Sequence, residues 1–244
     1  TDVAGYNRLL PDHRQIHHFR SARQKEECLH LMETTFRFNS LGLLYGHLPS
    51  YMTWLDTQPR STMLDAYREF EVYLKALMHG YDTKTWLSKS PGHAMHLSEI
   101  AEVFPDAIFI HTHRNPVERI VSHAKLFYVL QSLFFDPLPS PELIGELALH
   151  YNQRSMDGIA RARSNPDIEE RTFDIDYENL IREPISTIAS LYAAMDRKMS
   201  DSYISALEDW LQNKNFWSRK HVGRHEYSAE DFGLDETTLC KLEP

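Results

Sequence analysis

Residues 85–127, TWLSKSPGHAMHLSEIAEVFPDAIFIHTHRNPVERIVSHAKLF, constrain the fold more than any other stretch, because they contain two strand-to-helix junctions that each end in residues suited to an anion. At the first, apolar Trp86 and Leu87 run into Lys89, with Ser90 as N-cap, Pro91 at the first helical position and His93 in the opening turn. At the second, Ala107, Ile108, Phe109 and Ile110 run into Arg114, with Asn115 as cap and Pro116 opening the helix. Helix N-termini offer unpaired amide donors and the positive end of the helix dipole, so a basic side chain at the preceding strand end completes an anion pocket. Both junctions are expected on one edge of a parallel sheet.

The rest of the chain repeats the alternation. Helical spacing predicts a short helix over 24–34 and a longer one carrying Met63, Tyr67, Phe70, Leu74 and Leu77, with Gly80 as its stop. A second long helix is expected from Pro141 to Arg163, then a strand from Thr172 to Asp176 in which Phe173 and Ile175 alternate with acids. Pro184 opens another helix, and a further one ends near Trp210. Strands alternating with helices read as one α/β layered domain over residues 1–244, long enough for a sizeable core.

Twenty-six Lys plus Arg against 35 Asp plus Glu leave a net charge of −9, which argues against nucleic acid as the partner. Cys28 and Cys240 fit no disulfide framework, and the sequence shows neither a signal peptide nor an apolar run approaching the ~18 residues of a membrane helix. A cytoplasmic protein is the expectation from these features.

The order KSPxH, an apolar strand ending in HRNP, and a serine eight residues after the arginine resembles the sulfotransferases that use 3′-phosphoadenosine-5′-phosphosulfate (PAPS). The resemblance continues in FDIDYENLIREPISTIASLYAAM (173–195) and in RKHVGRHEYSAEDFGLD (219–235), the latter similar to the bacterial-type branch, and spans roughly residues 24–236. It implies a P-loop-like parallel sheet flanked by helices and transfer of a sulfuryl group to a hydroxyl, or as second choice an amine. The products would be a sulfate ester and adenosine 3′,5′-bisphosphate.

By the same resemblance Arg114 and Ser122 hold the donor's 3′-phosphate, Tyr177 lies near the adenine, and Arg219 and Lys220 form a lid. Lys89 neutralises charge on the leaving oxygen and His93 is the general base, with Glu26 or Glu27 in reserve because part of the family uses a glutamate. The family's opening strand and glycine-containing phosphate loop do not precede Thr1, so the first βα unit is expected to be missing; Pro59-Arg60-Ser61-Thr62 is a decoy without its glycine or a preceding strand.

Each position also has a plainer reading: a surface ion pair for Arg114, a strand-end charge for Lys89, a helix-opening histidine for His93 and a packing aromatic for Tyr177. No metal is expected, since no carboxylate or cysteine in the sequence completes a ligand set around His111 and His113 or around His93 and His96. Two other functions fit the plan: a non-catalytic adenosine-bisphosphate-binding module, and a nucleotide or small-molecule kinase, for which no Walker lysine can be placed. The acceptor pocket is expected from the loops at 35–60 and 127–142, whose Phe, Tyr, Met and Leu suggest a small-molecule or lipid-like partner.

Overall fold

Two long helices and the strands on either side of them organise the chain. The computed structural model describes residue 8 and residues 27–82, 85–212 and 227–240. Its first helices, α1 (Leu29–Glu33), α2 (Ser40–Leu43) and α3 (Pro49–Asp56), are short, and α4 (Arg60–Met78) is long. A 3-10 helix, Pro91–His96, runs into α5 (Leu97–Val103), followed by β1 (Phe109–His113), α6 (Pro116–Gln131), α7 (Pro141–Arg163), α8 (Pro166–Glu169) and β2 (Thr172–Asp176). Then come α9 (Tyr177–Arg182), α10 (Pro184–Ala194), α11 (Asp201–Gln212), a 3-10 turn at Glu230–Phe232 and α12 (Glu236–Leu239).

Helices α6 and α7 pack along matching stripes. Ile120, Ala124 and Phe127 of α6 meet Ile144, Ala148 and Tyr151 of α7, with Leu43, Met95, Phe232, Leu234 and Leu239 closing the cluster. Ile120 and Ile144 are 0% exposed, which stabilises the fold by about 1.5–3 kcal/mol each relative to an exposed side chain. A second cluster joins α1 to the buried face of α4 through Cys28, Met32, Phe38, Met63, Ala66, Tyr67, Phe70 and Leu74. Gly158 permits a close approach of α7 to the 3-10 helix: a Cβ there would lie 2.5 Å from the Ala94 carbonyl oxygen and from the Met95 Cα, so any larger residue would push the 3-10 helix off α7.

Strands β1 and β2 are parallel, in register from Phe109 opposite Thr172 to His113 opposite Asp176. The crossover between them is α6, α7 and α8. Among the described residues β1 pairs with β2 alone, and Ile108 just before it and Ile110 within it are 37% and 42% exposed. No helix among the described residues is long and apolar enough to cross a membrane, and Cys28 and Cys240 are both free thiols.

The first junction differs from its expected form. Residues 85–90 form no strand; Trp86 and Leu87 are exposed, and two apolar residues are too few to bury a strand face. Pro91 does open a helix, but a 3-10 one, and the Ser90 side chain makes no capping bond; its carbonyl instead accepts from the His93 amide at 3.2 Å. The second strand starts at Phe109, two residues later than the apolar run, because the Phe109 amide donates to the Arg171 carbonyl at 2.9 Å while the Ala107 amide is turned to Phe104. The decoy segment merely starts α4, with Arg60 paired to Glu99 at 3.0 Å and Glu102 at 2.7 Å.

Candidate functional site

The register of the sheet builds the first half of the site. Because His113 lies opposite Asp176, the next residues of the two strands, Arg114 and Tyr177, emerge side by side, and the guanidinium sits over the tyrosine ring 4.9 Å from its centroid. Each strand passes into a capped helix: Asn115 accepts from the Glu118 amide at 3.2 Å, and Asp176 from the Asn179 amide at 2.7 Å. Arg114 folds back along α6, donating from Nε and Nη2 to Glu118 Oε2 at 3.2 Å each. Ser122 is exposed and four residues beyond Glu118, on the same helical face, so Arg114, Glu118 and Ser122 follow one line of α6. An anion there would exchange with the Glu118 carboxylate for the guanidinium.

The second half gathers around α1 and the 3-10 helix. Lys89 forms an ion pair with Glu27; the lysine is 70% exposed and the carboxylate 15%. The backbone behind that pair is pinned: the Cys28 amide donates to the Lys89 carbonyl at 3.3 Å, and Cys28 Sγ lies 3.4 Å from the same oxygen. Cys28 Sγ is also 2.9 Å from His93 Nε2, and the Tyr67 hydroxyl is 3.0 Å from His93 Nδ1. Both ring nitrogens of His93 are therefore engaged, and Phe38, Tyr67 and Phe70 surround the ring at centroid distances of 5.7–6.0 Å.

Burial sets the protonation in this half. It pushes the His93 pKa down to about 4, leaving the ring neutral at pH 7, and it raises the Cys28 thiol, which stays protonated. Neighbouring His96 is pushed down to about 3, first by burial and then by the charge of Arg154. A thin pocket begins beside His96, lined by Leu43, Met52, Leu55, Met95 and Tyr151, with the ion pair of Arg154 and Asp56 at 2.5 Å on its rim.

The structure thus brings Arg114 together with Tyr177, and Lys89 together with Glu27 and, through Cys28, with His93. Arg219, Lys220 and Glu26 lie outside the described residues. Cys28, Tyr67 and Glu118 were not singled out for a role by sequence reasoning. The spacing of Glu118 one helical turn after Arg114 could have flagged it; nothing in the sequence signalled that Cys28 and Tyr67 converge on His93, since 65 and 26 residues separate them from it.

Two solved structures share the fold: sulfotransferase STF9 from Mycobacterium avium, with a TM-score of 0.74 and 23% identity over 99% of this chain and 62% of that one, and sulfotransferase STF1 from Mycobacterium tuberculosis H37Rv, with a TM-score of 0.70 and 23% identity over 98% and 61%. The fold is the P-loop-like α/β arrangement of those sulfotransferases. Among curated proteins, the omega-hydroxy-beta-dihydromenaquinone-9 sulfotransferases Stf3 of Mycobacterium bovis and Mycobacterium tuberculosis are each 27% identical over 175 residues, 67% of this chain and 42% of theirs. The chain spans less than half the length of those relatives. Residues 3–201, most of the chain, match the profile of the Sulfotransferase family, and the chain belongs to that family.

Proposed function

We propose that the chain carries the core of a PAPS-dependent sulfotransferase acting on a hydroxyl of a lipid-like acceptor. The observation that carries this reading is the pairing of Arg114 with Tyr177 at the carboxyl ends of two parallel strands, each followed by a capped helix N-terminus. A guanidinium and a helix N-terminus suit a phosphate, and an aromatic beside them suits a purine, so the residues fit an adenosine bisphosphate. Arg114 and Ser122 would hold the 3′-phosphate and Tyr177 the adenine, with Arg219 and Lys220 as the basic lid. Bound there, PAPS would supply an activated sulfuryl group whose leaving group is a phosphate oxygen.

The chain's own residues then have to hold the acceptor in line, neutralise the departing oxygen and take one proton. Lys89, mostly exposed at the end of its segment, is the clamp for the departing charge. For the proton two residues compete, His93 from the resemblance and Glu27 from the geometry. The engaged ring nitrogens of His93 favour Glu27, whose carboxylate needs only to part from Lys89 to accept a hydroxyl proton. His93 then acts through Cys28 by fixing the segment that carries Lys89. The menaquinone-derived acceptor named for Stf3 supports a lipid-like acceptor here, as do the apolar walls of the pocket beside His96.

Calorimetry with adenosine 3′,5′-bisphosphate tests the donor site. Arg114→Ala is expected to weaken binding by about 2 kcal/mol, roughly thirtyfold, as loss of a charged hydrogen-bonding partner does. Equal affinity in wild type and variant would reject the assignment.

A further inference from the structure

On the two strands just ahead of Arg114 and Tyr177, the sheet carries a second cluster of donors. His111 and His113 lie on one face of β1, and the parallel register adds what the sequence did not reveal, Asp174 opposite His111. His113 Nε2 and Asp174 Oδ1 are 2.6 Å apart. His111 Nδ1 lies 3.7 Å from the same oxygen; it is shielded from solvent and has no hydrogen-bond partner. The two imidazole rings are 4.1 Å apart, and one donor atom from each of the three residues falls within 4.8 Å of the others. We propose that His111, His113 and Asp174 bind a first-row transition metal dication, of which Zn2+ is the type, and that the ion clips β1 to β2.

The donor set is two imidazole nitrogens and one carboxylate oxygen, which suits zinc, cobalt, nickel or copper and not magnesium or calcium. The His111 Nδ1 atom is buried with no hydrogen-bond partner, which leaves that nitrogen open to an ion. Two imidazoles with centroids 4.1 Å apart cannot both carry a proton charge comfortably, whereas both can share one cation. Arg163 is the competitor, donating to Asp174 Oδ1 at 2.7 Å and Oδ2 at 3.0 Å, but it is also held by Glu169 at 2.6 Å and 2.7 Å. Oδ1 can therefore turn to the metal while Oδ2 keeps Arg163 as the outer partner that orients a ligating carboxylate. On binding, the Nε2 proton that His113 shares with Asp174 leaves to solvent or passes to Nδ1, and the freed ring nitrogen takes the ion in place of that bond. Three protein donors leave at least one coordination position for solvent or an anion. Arg114 and Tyr177 follow directly on the two strands, so the clip would stiffen the base on which they stand. The site shares no residue with the transfer machinery, and its test does not depend on that reading.

Titration of the purified chain with Zn2+ by calorimetry, and with Co2+ by visible absorption, is the experiment. One equivalent is expected to bind, with d–d bands for Co2+, no response to Mg2+, and a rise in Tm of about 5 °C at a hundredfold excess of Zn2+ over its Kd. His111→Ala and His113→Ala should each weaken binding at least about tenfold. Should either variant melt early without metal, His111→Gln and His113→Gln keep the bulk and give the same comparison. Absence of saturable binding by the wild type would overturn the proposal, and so would binding unchanged in both histidine variants, which would trace it to others of the 14 histidines.

Discussion

The two junctions that look alike in sequence are built by different forces. The second is local from the end of the strand onward: once β1 is paired with β2, a proline at the first helical position and an asparagine whose side chain accepts a helix amide follow within eight residues of Phe109. The first has the same proline and a serine in the capping position, yet no strand and no side-chain cap. It is held from outside instead, by Cys28 on the Lys89 carbonyl and by Tyr67 and Cys28 on the two nitrogens of His93. A site assembled from one half that its own segment caps and one half whose junction is fixed by distant side chains should respond to mutation asymmetrically.

The largest expected effect falls on the externally held half. With Glu27 as proton acceptor, Glu27→Gln should lower turnover by about two to four orders of magnitude while adenosine 3′,5′-bisphosphate binding stays unchanged. Steady-state kinetics paired with calorimetry measure both, and near-normal turnover would return the role to His93.

Next is stability. His93→Ala leaves the Tyr67 hydroxyl, in a side chain that is 0% exposed, without its partner and opens a cavity among aromatic rings. A loss of about 2–4 kcal/mol is expected in urea unfolding. The same residue gives the first half an acid limit. Its folded pKa of about 4 lies below its ordinary 6.5, so the unfolded chain binds the proton more readily. Its contribution is complete above about 6.5 and is lost as pH falls toward 4, and urea midpoints of His93→Gln should lose part of that slope relative to wild type.

The smallest effect separates the two caps. Asn115→Ala removes a formed cap and should cost about 1 kcal/mol, whereas Ser90→Ala removes none and should stay within about 0.5 kcal/mol. Equal losses would mean that the two junctions are alike after all.

The long helices were legible in the sequence because their signals are local. Pro141 to Arg163 has a capping serine at one end and a continuous apolar stripe, and the strand from Thr172 to Asp176 alternates as a half-wet strand should. Arg114 was legible for the same reason, being fixed by its neighbours Asn115 and Pro116. The state of His93 was not, since neither the thiol nor the phenol that occupies it lies in its own segment. Family resemblance supplied its expected role, and packing supplied partners that resemblance did not mention.

By itself, then, the sequence determined the α/β alternation, the capped junction at Arg114 and the family, all carried by residues within a few turns of one another. Tertiary structure alone decided that residues 85–90 form no strand, that Glu27 meets Lys89, that Cys28 and Tyr67 occupy His93, and that Asp174 completes a donor set with two histidines of another strand. The reason is range. Caps, turns and periodic stripes act over one helical turn, whereas a strand register or a buried hydrogen bond depends on which distant segments the core brings within about 3 Å of each other.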